Sequence, residues 1–467
     1  MTLEKLSLPT YRRGDITPGI AHIGVGNFHR SHQAMYLNQL MNRGLAQDWG
    51  IVGIGLLPGD VRMRDALAEQ DYRYTLVEKY SDGATKAQTI GSIVGYLFAP
   101  DDPDSALHLL TSPQIRIVSL TITEGGYNID RATGEFLLDT PAIAADIQHP
   151  ESPTTAFGYI TAALKRRRET GIPPFTVMSC DNLPGNGHIA KHAVTAFARA
   201  VDPDLANWIE EAVAFPNSMV DRITPMTTDA DRTFVTETYG IVDAWPVMCE
   251  PFTQWVLEDR FTIGRPPYEN AGVQIVPDVV PYELMKLRLL NATHQAMAYI
   301  GMLLGYTYVH EAVADIRIER FLRDYLEEAR VTLPPVPGVD LDAYIEELFV
   351  RYRNPYIADT LTRLAVDASD RIPKFVLPSV RDNLAAGRDV TWGAAVVATW
   401  AEYLRVSDPE TIVDAMLDEL LRYVFAGDFL GCEAVFGELG HNEQFVATYE
   451  SALALVASDP SSIFRQG

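Results

Sequence analysis

The chain has 467 residues, with 38 Lys+Arg against 62 Asp+Glu and a formal charge of −24; at roughly 100–200 residues per domain, two large domains are the simplest arrangement. A hydrophobic content of 47% with 21% charged residues argues against extensive disorder, and so acidic a chain without a long Lys/Arg cluster is a poor nucleic-acid binder. Three scattered cysteines (Cys180, Cys249, Cys432) exclude a disulfide scaffold and a CxxC motif, the N-terminus lacks a secretory h-region, and no apolar run approaches the ~18 residues of a membrane span. The expectation is a soluble cytoplasmic protein with no membrane partner.

In chain order, Val/Ile-rich runs at 20–26, 50–57, 74–80, 117–123 and 175–180 alternate with stretches long enough for crossover helices. Nearly continuous apolar character suits strands buried on both faces of a parallel sheet. The expected fold class is α/β, with a Rossmann-type doubly wound sheet over 1–275. Beyond a Pro-containing linker at 275–283 the apolar spacing becomes helical, in YELMKLRLLNATHQAMAYIGMLLGY, FLRDYLEEARVTL, WGAAVVATWAEYLRV and ETIVDAMLDELLRYVF. A mainly α-helical domain over 276–467 follows.

Five segments concentrate polar chemistry at expected element ends. IAHIGVGNFHRSHQ (20–33) runs from a strand through Gly24 and Gly26 into a helix start, where backbone N–H groups can approach a pyrophosphate. A lone GxG is equally an ordinary strand–helix turn. His29 and His32 read better as polar residues of a helix start than as metal ligands. Asp60, just past the second strand, is placed to accept from an adenosine ribose and to repel a 2′-phosphate, or is simply a loop aspartate. Thr123 and Glu124 follow the strand at 117–123, where ligands of parallel sheets bind; a tight turn at Gly125-Gly126 is the plainer reading.

SCDNLPGNGH (179–188) gathers Asp181, Asn182, Asn186 and His188 after another strand, and FPNSMVDRITP (215–225) carries Asn217, Asp221 and Arg222. On an α-helix at about 100° per residue, with Lys286 at zero, Glu283 falls near 60°, His294 near 80° and Asn291 near 140°. A polar arc of this kind commonly faces solvent. A desolvated lysine within it can lose its proton and serve as a general base.

The ordered set GVGNFHRSHQ, YTLVEKY, TITEGGY, SCDNLPGNGH, FPNSMVDRITP, EPFTQWVLEDRF and K-x4-N-x2-H resembles the mannitol dehydrogenase family, the polyol-specific long-chain dehydrogenases/reductases, over nearly the whole chain. The resemblance implies metal-independent, NAD(P)-linked oxidation of a sugar alcohol to a ketose, with the active site between the two domains. It implies that Lys286 is the base, that Asn182 and Asn291 hold the reacting oxygen, and that His294 binds substrate with Asp221 nearby. Gly24, Gly26 and Phe28 fall in the cofactor turn, and Arg363 matches a substrate-binding arginine. Arg371 stands where some members carry lysine. Glu283, one turn before Lys286, is placed to relay the proton to water.

Asp60 makes NAD the expected coenzyme. The resemblance implies D-mannitol to D-fructose as the reaction, and the expected assembly is a monomer or small homo-oligomer. The alternatives are D-arabinitol or sorbitol oxidation, hexuronate (fructuronate or tagaturonate) reduction with Arg363 or Arg371 holding the carboxylate, and, outside the family's activity, a catalytically silent dinucleotide sensor.

Overall fold

A computed structural model describes residues 5–130 and 133–465. The chain divides into two compact units, Met1–Tyr80 with Ala84–Val279, and Ser81–Gly83 with Val280–Gly467.

The first unit is built on five parallel strands: β2 (Pro18–Ile23), β3 (Gly50–Gly55), β6 (Ile93–Phe98), β7 (Ile117–Leu120) and β8 (Thr176–Ser179), in the order β6-β3-β2-β7-β8. Successive side chains point to opposite faces of a strand. Ala21, Ile23, Val118, Leu120 and Val177 therefore enter the core under the helices Pro103–Thr111, Ala156–Thr170 and Asn186–Val201, while Ile20, Ile51, Ile117 and Met178 enter the core on the other side. Both faces are covered, which is why these runs are apolar without alternation.

The chain leaves central β2 toward β3 and β6, then returns to place β7 on the other flank. The crevice of a doubly wound sheet opens where the order reverses, here at the carboxyl ends of β2 and β7.

The run 74–80 departs from the expected single sheet. Strand β4 (Tyr74–Lys79) pairs antiparallel with β5 (Thr85–Ile90) and parallel with β10 (Val247–Cys249), in a second sheet closed by β1 (Leu6–Ser7). Its residues also pack on both sides, with Leu76 in one core and Val77 in another, so apolar continuity did not distinguish the two sheets. A third sheet joins β9 (Ser218–Asp221), β11 (Gln254–Glu258) and β12 (Gln274–Val276).

The second unit is helical, apart from an isolated bridge between Tyr308 and Thr360 among the described residues. The segment read as a linker is more ordered than its prolines suggested: β12 ends at Val276 and a helix begins at Val280. The helices Ile316–Arg330 and Thr391–Val406 lie where apolar periodicity predicts them. The last predicted helix begins only at Leu417, after a 3-10 turn at Pro409–Thr411; Asp414 between them accepts from the backbone N–H and hydroxyl of Ser369. No helix of the described residues is long and apolar enough to cross a membrane.

Candidate active site

The first half of the candidate site is the turn after β2. Gly24 has φ +93°, and a Cβ there would lie 2.1 Å from the Thr121 carbonyl oxygen, so only glycine fits. Gly26 precedes the helix Asn27–Ser31, and a Cβ built on it meets nothing closer than 3.9 Å. The glycine at 24 thus permits close contact with the β7 end, and the glycine at 26 leaves open room for a ligand to approach the backbone.

A buried polar layer supports this turn. His22 bonds Ser119 Oγ (2.8 Å), Thr121 Oγ1 (2.9 Å) and the Gly24 carbonyl (3.2 Å), and the Thr121 hydroxyl donates to the same carbonyl at 2.6 Å. Burial pushes His22 down to about 3 and drives His29, stacked on it at 3.4 Å, well below the usual histidine range. Both rings are therefore neutral. His29 and His32, read as polar residues of a helix start, do lie at the short helix Asn27–Ser31, but both are buried. Phe28 stacks on His32 at 4.9 Å and is half-buried. Arg30, fully buried, donates to the Gly26 carbonyl and to Asn27 Oδ1.

Asp181 joins two strand ends. Its carboxylate accepts from the Ile122 N–H (3.1 Å), the Thr123 N–H (2.9 Å) and the Tyr127 hydroxyl (2.8 Å). Burial raises its pKa against those hydrogen bonds, which lower it. Thr123 is held in the left-handed region at φ +63°, a conformation that costs a non-glycine residue on the order of 1–3 kcal/mol. Thr123 and Glu124 are both exposed at this end of β7.

Asn182 is exposed on the loop after β8. Asn186 lies buried behind it and locks the loop to β9, donating to the Asp181 and Ser218 carbonyls and accepting from the Ser218 N–H. Asn217 accepts from the N–H groups of Gly187 and His188 and pairs with Glu258. Asp221 ends β9, buried beside Arg222, whose guanidinium binds Glu78 at 2.9 Å. The polar density of 179–188 and 215–225 is thus largely scaffold that fixes where Asn182 and Asp221 stand.

Asp60 turns one carboxylate oxygen back onto its own loop, accepting from Leu56 N–H and Leu57 N–H at 2.9 Å each.

In the second unit the helical-wheel arithmetic fails in an informative way. Residues Lys286–Asn291 form a π-helical turn between the helices Val280–Met285 and Ala292–Leu303. The Ala292 N–H reaches back five residues to the Leu287 carbonyl. An i→i+5 ring holds about one residue more per turn than an α-helix, so the step narrows to roughly 80° per residue. Recounted from Lys286, Asn291 moves to about 40° and His294 to about −20°, with Glu283 still near 60°. The arc contracts from roughly 140° to roughly 80°. Glu283, Lys286 and Asn291 are buried and His294 is half-buried, so this polar face is not a solvated one.

Arg363 spends two donors on Asp359, at 2.5 and 2.6 Å, one turn earlier in the chain. Arg371 donates to the carbonyls of Arg363 and Leu364, capping the helix Leu361–Ala365. Among the described residues no group of three His, Cys, Asp or Glu is arranged to hold a metal ion.

Sequence reasoning missed the support layer: His22, Ser119, Thr121 and Glu258, and Thr293 and Tyr352 in the second unit. A histidine inside an otherwise apolar strand was the available signal for the first group. The others are ordinary residues whose partners lie far away in sequence.

The family model described as the mannitol dehydrogenase Rossmann domain matches residues 18–270, and that of the mannitol dehydrogenase C-terminal domain matches 278–457. Mannitol 2-dehydrogenase of Phaeosphaeria nodorum is 44% identical over 98% of this chain and 82% of its own length. Mannitol dehydrogenase 2 of Saccharomyces cerevisiae is 46% identical over 97% and 92%. Among solved structures, the Pseudomonas fluorescens mannitol 2-dehydrogenase ternary complex with NAD and D-mannitol superposes with TM-score 0.88 at 46% identity, covering 98% of this chain and 96% of that one. A substrate-free D-sorbitol dehydrogenase gives TM-score 0.91 at 37% identity, over 99% and 98%. Two family models that together span most of the sequence, and relatives this similar over nearly their full length, establish that the chain belongs to the mannitol dehydrogenase family.

Proposed function

We propose that this NAD-dependent polyol dehydrogenase oxidises D-mannitol to D-fructose, and catalyses the reverse reduction, with Lys286 as general base and without a metal. The observation that carries the mechanism is the burial of an amine and an amide, Lys286 and Asn291, at the two ends of one π-helical turn. Mannitol is the substrate in the Pseudomonas complex, which supports it as the substrate here.

NAD, when bound, supplies the hydride acceptor. The residues fit such a group: Gly24 lets the turn after β2 pack closely on the β7 end, Gly26 leaves open room beside the backbone for a pyrophosphate, and the neutral His22 with Thr121 holds the Gly24 carbonyl oxygen inward. Lys286 takes the proton from the hydroxyl borne by the reacting carbon, whose hydrogen leaves as hydride. The side-chain amides of Asn182 and Asn291 donate to the oxygen as it becomes a carbonyl. Glu283 passes the proton from Lys286 toward water, and His294 and Asp221 bind the remaining hydroxyls.

Hexuronate reduction is the weaker reading. A substrate carboxylate needs a cation, and Arg363 is already paired with Asp359; Arg371 spends only Nη1, on two neutral carbonyls, so the weight against a uronate comes from the mannitol-bound relative. A panel of D-mannitol, D-arabinitol, D-sorbitol, fructuronate and tagaturonate with NAD and NADP, followed by nicotinamide absorbance, tests the assignment. Activity with D-mannitol and NAD that survives exhaustive chelation is the expected result. Better turnover of a uronate, or activity lost to chelator and restored by zinc, would overturn it.

A further inference from the structure

Glu283, Lys286, Asn291 and His294 fall within an arc of roughly 80°, rather than roughly 140°, because the chain is π-helical from Lys286 to Asn291. A π turn replaces tight α rings with wider ones and persists only where its surroundings favour it. Two groups of contacts in the second unit do so. Arg288, inside the wide turn and buried, donates to Asp382 Oδ2 (2.6 Å), Thr332 Oγ1 (2.7 Å) and the Thr332 carbonyl (2.8 Å), tying the back of the turn to its neighbours.

At the point where the wide turn gives way to the α-helix, the Thr293 hydroxyl reaches back to the carbonyls of Leu289 (2.6 Å) and Leu290 (3.0 Å). The Tyr352 hydroxyl lies 2.6 Å from Thr293 Oγ1, and the Tyr352 ring packs against the His294 ring with centroids 5.3 Å apart. Both hydroxyl-bearing residues are shielded from solvent, Thr293 at 0% and Tyr352 at 1% exposure. A threonine hydroxyl bonded to the preceding turn perturbs helix geometry on its own. Here a second buried hydroxyl anchors it, and that second residue also fixes the ring of His294.

We propose that Thr293 and Tyr352 are positioning residues: their hydroxyl pair sets where the π turn ends, and so sets Lys286 in register with Asn291 and His294. The pair touches no reacting atom. It acts through the five-residue step that brings the amine and the amide to one side. The proposal rests on the assignment of Lys286 as base.

The test compares Thr293→Val, Tyr352→Phe, Thr293→Ser and Lys286→Ala in the full-length protein. Thr293→Val keeps the shape of the side chain and removes the hydroxyl; Thr293→Ser keeps the hydroxyl. Fluorescence titration with NADH gives the concentration of folded, coenzyme-competent protein from its stoichiometry and the NADH affinity from its curvature, both independent of turnover. The expected result is a fall in kcat for mannitol oxidation of tenfold or more in Thr293→Val and Tyr352→Phe, per coenzyme-binding molecule. NADH affinity stays within twofold, the acid limb of the kcat/KM pH profile is displaced, and Thr293→Ser recovers to within threefold of the parent.

A merely structural role would reduce the number of binding-competent molecules while each kept the parental kcat and pH profile, and that outcome overturns the proposal. If Lys286→Ala is inactive while both hydroxyl deletions turn over normally, the positioning role fails and the base assignment stands. If Lys286→Ala retains more than a tenth of the activity, the base assignment fails and the proposal falls with it. Tyr352→Phe and Thr293→Ser decide the matter whether or not Thr293→Val folds.

Discussion

At the scale of single residues, two side chains carry distinct expectations. Lys286→Ala should lower kcat for polyol oxidation by several orders of magnitude while NADH still binds, and an added primary amine should restore part of the rate. Retention of more than a tenth of the activity, a loss of only ~1.4 kcal/mol, would remove Lys286 from the role of base. Asn291→Ala should cost about 2–4 kcal/mol in the barrier, the loss expected for one donor to a developing oxyanion. Asp60 allows the coenzyme preference to be separated from loop structure. Its Oδ2 holds two backbone N–H groups, a task that the amide oxygen of asparagine also performs. The parent should use NAD at least about tenfold better than NADP, as a fixed carboxylate near a 2′-phosphate dictates. Asp60→Asn should narrow that ratio without lowering thermal stability much; a ratio of kcat/KM values unchanged by the substitution would show that the charge reads no phosphate.

At the scale of elements, the turn between β2 and its helix can be tested at two glycines with opposite surroundings. Gly24→Ala places a Cβ against the Thr121 carbonyl in a backbone region that side chains avoid, so both the melting temperature and NADH affinity should fall. Gly26→Ala meets no protein atom closer than 3.9 Å and should leave stability near the parent while NADH affinity drops tenfold or more, because the added methyl occupies the ligand's approach. Equal NADH dissociation constants for Gly26→Ala and the parent would mean that the coenzyme does not approach there.

The same turn illustrates what could be read from the chain and what could not. The strand–Gly24–Gly26–helix pattern was visible because backbone geometry demands glycine locally. That His29 would be buried and stacked on His22 depends on a helix of only five residues and on Ser119 and Thr121 nearly a hundred positions away. The π turn was invisible for a related reason. Its residues, KLRLLN, are ordinary helix formers, and the contacts that favour the wider ring come from Thr332, Tyr352 and Asp382.

For the whole molecule, two buried groups impose opposite pH dependences on stability. His22, held at about 3 when folded, takes up a proton near 6.5 once unfolded, so its contribution is intact above pH 6.5 and is lost as the pH falls toward 3, by on the order of 5 kcal/mol at the limit. Glu328 behaves in the reverse sense. Burial raises its carboxyl to about 7, although it accepts from the Trp392 and Gly393 N–H groups at the start of the helix Thr391–Val406. A raised acid binds its proton more tightly when folded, so this group's stabilising effect is greatest below about 4.5 and is lost as the pH rises toward 7, by roughly 3 kcal/mol. Glu328→Gln should therefore make the fall in melting temperature from pH 7.5 to 5.5 steeper than in the parent, and His22→Gln should make it shallower. Parallel melting curves for parent and both variants across that range would contradict these assignments.

What the sequence determined by itself was the class of each half and the identity of the chemistry. Nearly continuous Val/Ile runs demand a sheet covered on both faces, helical spacing beyond residue 280 demands a helical unit, and the ordered motifs from GVGNFHRSHQ to K-x4-N-x2-H carry the family membership that the comparisons established. These properties reside in local periodicity and in short strings, so they survive without coordinates. Tertiary structure decided the rest: that 74–80 joins a second sheet, that most polar residues of 179–188 and 215–225 serve as scaffold, that Arg363 and Arg371 are already engaged, and that Lys286 and Asn291 stand at the ends of a π turn. The scaffold role of 179–188 and 215–225 follows from hydrogen bonds between residues distant in sequence, and the others from local pairings that the folded surroundings select. Burial makes such bonds obligatory for every polar group it encloses, but only the folded chain determines which partner each group finds.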